Sequence, residues 1–429
     1  MRSYLKIRND IFPFECAEIV NSTNLPFNFG HPELDMFSKE MNRVIGGYID
    51  RIRPEVMHVH SRFGLPASVN ELAHERDVAV FNTIHVYGYI CQRRVMIDRD
   101  GEPCPGPFNL RKCAYCTGTL DYRRERLRAL FIHFKEGLKA RSPGMFKGLQ
   151  SIKRRVTDWN EPIVGENTPA GPGAGYDDTV ERLAYALEQR LRYCVQALNC
   201  HSLRTICVST DVKNTLIRYG VDESRLLVQH IGSTIAERQA IADRPLHDPI
   251  VIGNIGGVNH YKGTHVFLDA IGKMKRKDFI VKIFGRGNER YIAHLMRGRE
   301  GLPVVFTGRY RPEELPAILE QIDIMVFPSI CNDTAPQTIF ESFSGAVPII
   351  ASNIGGFPDF VTDGWNGLLF EPGNAEDLAE KLGTVLDRPE CILEFRGNIP
   401  KLKTISQNAE ELISLYSDIL SRRVRRNVN

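Results

Sequence analysis

The chain has 429 residues, 42% of them hydrophobic and 25% charged, with 55 Lys and Arg against 52 Asp and Glu. Length and composition are those of a soluble globular protein of two or three domains, and a net charge of +3 favours no particular partner. The sequence contains no run of about 18 apolar residues and no apolar signal-peptide core near its start, so we expect a cytoplasmic chain.

The first half of the chain, residues 1–231, is predicted to form one α/β domain. A helical pattern follows residue 31, and short apolar runs then alternate with further helical patterns. The predicted strands are residues 56–60, 78–85, 205–209 and 225–230, and the predicted helices between them are 66–76, 178–198 and 211–219.

An insertion, residues 88–178, interrupts this domain. Between residues 121 and 160 it carries 11 Lys or Arg against 4 Asp or Glu. Such a block suits an anionic surface, although a solvated helix face explains it equally well. We expect the basic stretch 123–155 to make a peripheral contact at the inner face of the membrane, and we expect no nucleic acid as a partner.

Four of the ten cysteines lie close together in this insertion: Cys91, Cys104, Cys113 and Cys116. In a cytoplasmic chain, cysteines are candidates for thiols or metal ligands rather than disulfides. The spacing C-x12-C-x8-C-x2-C is compatible with a tetrahedral structural zinc site, and buried thiols are an equally good interpretation. Zinc here would order a loop near the acceptor cleft.

Residues 232–248 are predicted to be a linker, and residues 249–400 a second α/β domain. Continuous apolar strands joined by helices predict a parallel sheet covered on both faces. The predicted strands are 250–255, 279–284, 304–308, 323–328 and 347–352, and the predicted helices are 263–275, 288–297, 312–321, 336–344 and 375–387. A helix within 401–429 follows, which we expect to pack back on the first domain, and the main cleft should lie between the two domains.

A glycine pair follows the first strand of the second domain. Gly256 and Gly257 allow close approach of a ligand to the backbone, and Lys262 adds a positive charge where the next helix begins. This arrangement predicts a phosphate site. The segment lacks the order of a P-loop, and GRGNER at 285–290 lacks the third glycine of a dinucleotide fingerprint, so neither of those site types is expected.

Two acidic residues flank the start of a later helix in the same domain. Asp333 lies in the loop after the strand 323–328, and Glu341 lies about one turn inside the helix that Pro336 begins. Carboxylates at the carboxyl end of a parallel sheet can accept hydrogen bonds from the hydroxyls of a polyol. An acid favoured by the helix dipole would explain Asp333, but not Glu341.

These motifs resemble the donor domain of the family 4 retaining glycosyltransferases. The resemblance covers residues 250–385 and includes the acidic pair Asp333-x7-Glu341 within NDTAPQTIFESFSGAVPIIASNIGGFPDFV, and TDGWNGLLFEPGN further on. It implies the GT-B fold of two facing Rossmann-like α/β domains. It also implies that Glu341 binds the ribose of a nucleotide sugar, that Asp333, with Thr334 beside it, binds the transferred sugar, and that Lys262 binds the diphosphate. Arg309, in TGRY, would contact the base.

The first domain resembles the family in part. PEVMHVHSRFGLPAS and VAVFNTIHVYGYIC resemble its paired histidine strands, so His85 would lie beside the sugar. Gly257 replaces a usual arginine, Asp333 replaces a glutamate, and the glycine-rich loop expected near the start is not seen, which predicts an N-terminally short chain.

The reaction implied is transfer of a sugar from a nucleoside diphosphate sugar to an acceptor hydroxyl with retention, without a metal. The acceptor would be a glycan or lipid-linked. Two alternatives are a non-catalytic relative that binds a nucleotide sugar or a partner enzyme, and, less favoured, a sugar-nucleotide epimerase.

Overall fold

The computed structural model describes residues 3–9, 13–20, 22, 30–118, 176–239 and 244–428. The basic stretch 123–155, for which a membrane contact is predicted, lies outside the described residues. The chain divides into two compact units. The first consists of Met1–Asp100, Pro105–Thr205 and Leu216–Leu226, and the second of Gly101–Cys104, Ile206–Thr215 and Leu227–Asn429.

The first described elements are two paired strands that the sequence did not predict. Strands β1 (Tyr4–Arg8) and β2 (Cys16–Val20) pair antiparallel, with Tyr4 opposite Val20. The helices Glu33–Met36 and Lys39–Ile52 follow. Ser38 caps the longer one, because its hydroxyl accepts a hydrogen bond from the Met41 amide at 3.3 Å.

A four-stranded sheet in the order β3-β4-β5-β6 follows, and its strands confirm those predicted for the first half of the chain. The strands are β3 (Val56–Val59), β4 (Ala79–Ile84), β5 (Arg204–Cys207) and β6 (Leu226–Val228), and β3 pairs parallel with β4. The helices in this part of the chain are Ser68–His74, Leu110–Thr117, Tyr176–His201 and Thr210–Arg218, with 3-10 turns at Glu223–Arg225 and Thr234–Arg238.

The second unit carries a six-stranded sheet in the order β12-β11-β10-β7-β8-β9, and every neighbouring pair is parallel. Its strands are β7 (Ile250–Ile255), β8 (Phe279–Phe284), β9 (Val304–Gly308), β10 (Ile324–Phe327), β11 (Ile349–Ser352) and β12 (Gly367–Phe370). Five of them confirm predicted strands; β12 was not predicted.

Helices cover both faces of this sheet, which explains why its central strands β10 and β11 are buried on both faces. Along β10, Ile324 and Val326 pack into one hydrophobic cluster, whereas Met325 and Phe327 pack into the other. The α-helices are Thr264–Lys273, Glu289–Met296, Leu315–Leu319, Gln337–Ser344, Ala375–Asp387, Glu390–Gly397 and Ile405–Val428. The predicted helix 312–321 is a 3-10 turn, Pro312–Glu314, followed by a short α-helix, and Glu390–Gly397 was not predicted.

Three predictions stay open. They are the domain boundaries at 231 and 249, the packing of the last helix on the first domain and the cytoplasmic location. Within the described ranges, no helix combines the length and the apolarity that a membrane crossing requires.

Candidate functional site

The predicted phosphate site is the loop between β7 and the helix Thr264–Lys273. Gly256 has φ +127°, a conformation that favours glycine, and its amide donates to the Phe284 carbonyl at 2.9 Å. The Lys262 amide donates to Asn259 Oδ1 at 3.0 Å, which fixes the turn before the helix. Gly263 has φ +72°, and a Cβ there would overlap the Pro328 carbonyl oxygen, so only glycine fits.

Lys262 and Asp333, 71 positions apart in the chain, form an ion pair between Lys262 Nζ and Asp333 Oδ2. Both side chains are half-buried. Burial alone would lower the pKa of Lys262, but the Asp333 carboxylate outweighs that effect and raises it. The lysine therefore carries its charge at neutral pH, next to one of the two predicted acids.

The second acid, Glu341, lies in the helix Gln337–Ser344 and has its own partner. The Tyr310 hydroxyl donates to Glu341 Oε2 at 3.4 Å. Burial raises the pKa of the Glu341 carboxyl, while the hydrogen bond from Tyr310 acts in the opposite direction. Burial and the neighbouring Glu341 raise the pKa of Tyr310 to about 12, so the phenol keeps its proton and serves as a donor.

The glycine pair that follows β11 supports the loop of Asp333. The Gly356 amide donates to the Asp333 carbonyl at 2.7 Å, and a Cβ on Gly355 would lie 2.5 Å from that same oxygen. A Cβ on Gly356 would lie 2.5 Å from the Thr334 carbonyl. A Cβ on Gly256 would lie 3.8 Å from Thr338 Cγ2. The loop that follows β7 is therefore next to the start of the helix that carries Glu341.

The second unit thus brings together Gly256, Lys262, Asp333, Thr334 and Glu341, with Gly257 beside Asn259. Arg309 is exposed after β9, and within the described ranges it forms no hydrogen bond or ion pair with the other site residues. Tyr310 was missed, although it directly follows Arg309 in the same predicted turn. Asn259 was missed as well, and its signal is weak, because an Asn capping a turn is common.

His85 lies in the first unit, directly after β4, in a cluster of three histidines. Its Nε2 is 3.3 Å from His60 Nδ1, and the rings of His60 and His58 are 4.0 Å apart. Burial lowers the pKa of His60 and His85, and it lowers that of His58 to about 3, with the charges of His60 and His85 adding to the effect. All three rings are therefore neutral at pH 7.

The structure does not show the predicted zinc site at the four clustered cysteines. Within residues 3–118 and the other described ranges, no group of three or more His, Cys, Asp or Glu side chains could hold a metal ion. Cys91, Cys113 and Cys116 lie in the first unit, whereas Cys104 belongs to the second. Burial raises the pKa of Cys116 to about 11, so in the metal-free chain this side chain is a thiol.

Residues 249–388 match the sequence family described as glycosyl transferases group 1. All five residues that the second unit brings together lie within this range, so the geometry and the sequence match point to the same part of the chain.

Two curated glycosyltransferases are similar in sequence to part of the chain. An uncharacterized glycosyltransferase of Methanocaldococcus jannaschii is 26% identical over 227 residues, covering 53% of this chain and 59% of that protein. A 2-deoxystreptamine glucosyltransferase of Streptomyces kanamyceticus is 29% identical over 147 residues, covering 33% of this chain and 38% of that protein. The chain thus spans less than two thirds of the length of these relatives.

Among solved structures, HepE of Anabaena resembles the chain over most of its length. Its complex with UDP has a TM-score of 0.57 at 13% identity, covering 87% of this chain and 82% of HepE. Its complex with UDP-glucose has a TM-score of 0.52 at 14% identity, with the same coverage. This likeness shows the fold, and it confirms the predicted α/β fold class, GT-B, with a parallel Rossmann-like sheet in each half of the chain.

Proposed function

We propose that the protein is a retaining glycosyltransferase that moves a sugar from a nucleoside diphosphate sugar to an acceptor hydroxyl. The observation that carries the proposal is the cluster of Lys262, Asp333 and Glu341 next to the glycine loop after β7, all within the group 1 domain. The assignment to family 4, and with it a retaining reaction that needs no metal, is supported by the sequence motifs alone.

Donor binding would rearrange the ion pair. Lys262 is the cation of this cluster and lies at the glycine loop, so it would bind the diphosphate. A diphosphate carries more negative charge than the single carboxylate of Asp333, and it would therefore compete for the lysine. When Lys262 turns to the diphosphate, Asp333 becomes available to accept hydrogen bonds from the sugar hydroxyls. Glu341, held by Tyr310, would accept those of the ribose.

The chemistry would depend on stabilising the leaving group. The bond from the anomeric carbon to the diphosphate oxygen breaks, a bond to the acceptor oxygen forms on the same face, and the released diphosphate takes up the acceptor proton. Lys262 and the amides at the start of the helix Gln337–Ser344, which no side chain caps, would stabilise the developing charge. Because Lys262 supplies the positive charge, the step needs no metal.

The remaining assignments are also proposals. His85 would lie beside the sugar and Arg309 beside the base. The acceptor would be a glycan or lipid-linked, and the donor a UDP-sugar first of all, since HepE was solved with UDP and with UDP-glucose. The location proposed is the cytoplasm, with a peripheral membrane contact.

The test is calorimetric titration of the full chain with UDP and UDP-glucose, followed by nucleotide release with and without acceptors. We expect Lys262→Ala and Glu341→Gln each to weaken UDP binding by about tenfold or more, since each removes a charge-assisted hydrogen bond. Lys282→Ala is the matched control. It removes a lysine of the same unit whose Nζ donates a hydrogen bond to the exposed Gln321 at 2.9 Å and which is not part of the cluster.

Unchanged UDP affinity in both site variants would contradict the assignment. Tight binding without nucleotide release from any UDP-, GDP- or ADP-sugar would instead favour the non-catalytic alternative.

A further inference from the structure

The helix Thr210–Arg218 carries an acid, Asp211, in its first turn. This part of the helix belongs to the second unit, which includes residues 206–215 as well as the donor cluster. The helix dipole favours an acid at this position, and that effect alone would explain its presence. The carboxylate, however, also contacts a residue of the donor cluster's own loop, 121 positions further along the chain.

Asp211 accepts hydrogen bonds from Asn332, the residue directly before Asp333. Asn332 Nδ2 lies 3.3 Å from Asp211 Oδ1 and 3.2 Å from Oδ2, so the amide group bonds to both carboxylate oxygens. Both residues are half-buried, which limits the water that competes for these bonds. Hydrogen bonds to a charged acceptor are also roughly twice as strong as those between neutral groups. The contact therefore fixes the loop immediately beside Asp333.

The same helical turn binds the segment that supports this loop. The Thr210 amide donates to Asp359 Oδ2 at 2.7 Å, and the Asp359 side chain is only 10% exposed. Asp359 ends the 3-10 turn Phe357–Asp359, which directly follows Gly356. The Gly356 amide in turn donates to the Asp333 carbonyl. One helical turn thus holds both segments that meet at the backbone of Asp333.

This support matters because the side chain of Asp333 cannot hold the loop once a donor is bound. The Asp333 carboxylate is paired with Lys262, and the diphosphate of the proposed donor would compete for that lysine. The loop must then keep its position without the ion pair. Asp211 bonds to the neighbour of Asp333 and not to Asp333 itself, so it can hold the backbone without occupying the carboxylate.

We propose that Asp211 is a positioning residue of the transferase. Through Asn332 it holds Asp333 where its carboxylate can accept hydrogen bonds from the hydroxyls of the transferred sugar. This inference rests on the function proposed above, because that function gives Asp333 a sugar to bind. The part of the donor that depends on Asp211 is therefore the sugar and not the nucleotide.

The test is calorimetric titration of the full chain with UDP-glucose and with UDP, in the wild type and in two variants. Asp211→Ala removes the acceptor, and we expect it to weaken UDP-glucose binding by about fivefold or more, while UDP loses less than about twofold. Asp211→Asn keeps an acceptor oxygen for Asn332, so its loss of UDP-glucose affinity should be about twofold at most. An equal loss in both variants would show that the hydrogen bond to Asn332 is not what matters.

A double-mutant cycle identifies the route, because Asp211 has other interactions in the structure as well. Asn332→Ala should weaken UDP-glucose binding as Asp211→Ala does. The double variant should then lose little beyond Asn332→Ala alone. Additive losses would overturn the proposal, since Asp211 would be acting by a route that does not include Asn332.

Asp377→Ala is the matched control. Asp377 lies in the first turn of the helix Ala375–Asp387 in the same unit, and its Oδ2 accepts a hydrogen bond from the Glu371 amide at 2.7 Å. Neither residue is part of the donor cluster, so we expect UDP-glucose affinity to stay unchanged. Thermal unfolding checks that each variant is folded, and if Asp211→Ala is not, Asn332→Ala replaces it. An equal loss of affinity in Asp377→Ala would refute a specific role of Asp211.

The failure of this proposal is distinguishable from the failure of the proposed function. If Lys262→Ala weakens UDP binding but Asp211→Ala keeps full affinity for UDP-glucose, the donor site stands and the positioning role is refuted. If the wild-type chain binds neither UDP nor UDP-glucose, the proposed function is refuted, and the role of Asp211 with it.

Discussion

The carboxylate of Glu341 shows how one residue can be prepared for a ligand. The carboxyl group is half-buried, and burial favours its protonated form. The ionised form, however, is the better acceptor of hydrogen bonds from the hydroxyl groups of a ligand. The hydrogen bond from Tyr310 favours the ionised form and partly offsets burial. Tyr310 therefore acts as a positioning residue, and its effect should depend on pH.

We expect Tyr310→Phe to raise the pKa of Glu341 further. If the ionised carboxylate binds the ribose, UDP binding weakens as pH falls through that pKa, so the loss should begin at a higher pH in the variant. At pH 7.5 the affinity should fall only about two- to fivefold, the value of one modest hydrogen bond. The measurement is the dissociation constant of UDP at intervals between about pH 5 and 7.5.

The control is Tyr291→Phe. Tyr291 lies in the same unit, burial raises its pKa to about 12, and its hydroxyl has no partner among the described residues. An identical pH profile for wild type and Tyr310→Phe would show that Glu341 does not bind the donor as a carboxylate.

At the scale of elements, the turn after β11 holds the loop of Asp333 in place. Gly355 has φ +61°, and a Cβ there would come within 2.5 Å of the Asp333 carbonyl oxygen and 2.7 Å of its amide nitrogen. Residues other than glycine rarely adopt this φ angle, and the nearby backbone of Asp333 leaves no room for a Cβ. Both reasons require glycine at this position. The turn sets the position of the acid that is proposed to bind the sugar.

Gly355→Ala should therefore displace Asp333. We expect a loss of at least about 2 kcal/mol in the free energy of unfolding, from strain and overlap together, and at least tenfold weaker binding of UDP-glucose. UDP alone, which lacks the sugar, should be affected less. Urea unfolding and calorimetry measure the two effects.

The variant Gly364→Ala distinguishes the effect of backbone strain from the effect of steric overlap. Gly364 has φ +72°, but nothing lies within 4 Å of the position of its Cβ. That variant should lose only about 1 kcal/mol and keep its affinity. Equal losses of UDP-glucose affinity in both variants would refute the supporting role of Gly355.

How much the sequence predicts also depends on the element. The central strands of the second unit were predictable, because each is a run of apolar residues buried on both faces, as at Ile324–Phe327. Strand β12 was missed because its run begins with a glycine, a residue that is unfavourable in strands. The acids and Lys262 were found from their positions at strand ends. Their pairing, and the contact of Tyr310 with Glu341, depend on side chains far apart in sequence, which no local pattern encodes.

At the scale of the molecule, the donor proposal places its ligand in one of the two units. The donor cluster draws on three separate segments of the second unit, at residues 256–263, 332–341 and 355–356. A bound donor should therefore slow amide exchange in these three segments, because binding stabilises the closed backbone of the loops that it contacts.

We expect hydrogen exchange of the full chain, followed by mass spectrometry, to show UDP protection in the three segments of the second unit. The helix Glu390–Gly397, which does not contribute to the donor cluster, serves as the internal control. UDP protection confined to the first unit would contradict the donor site, because the residues that match the group 1 family, with the paired lysine and carboxylate, lie in the second unit.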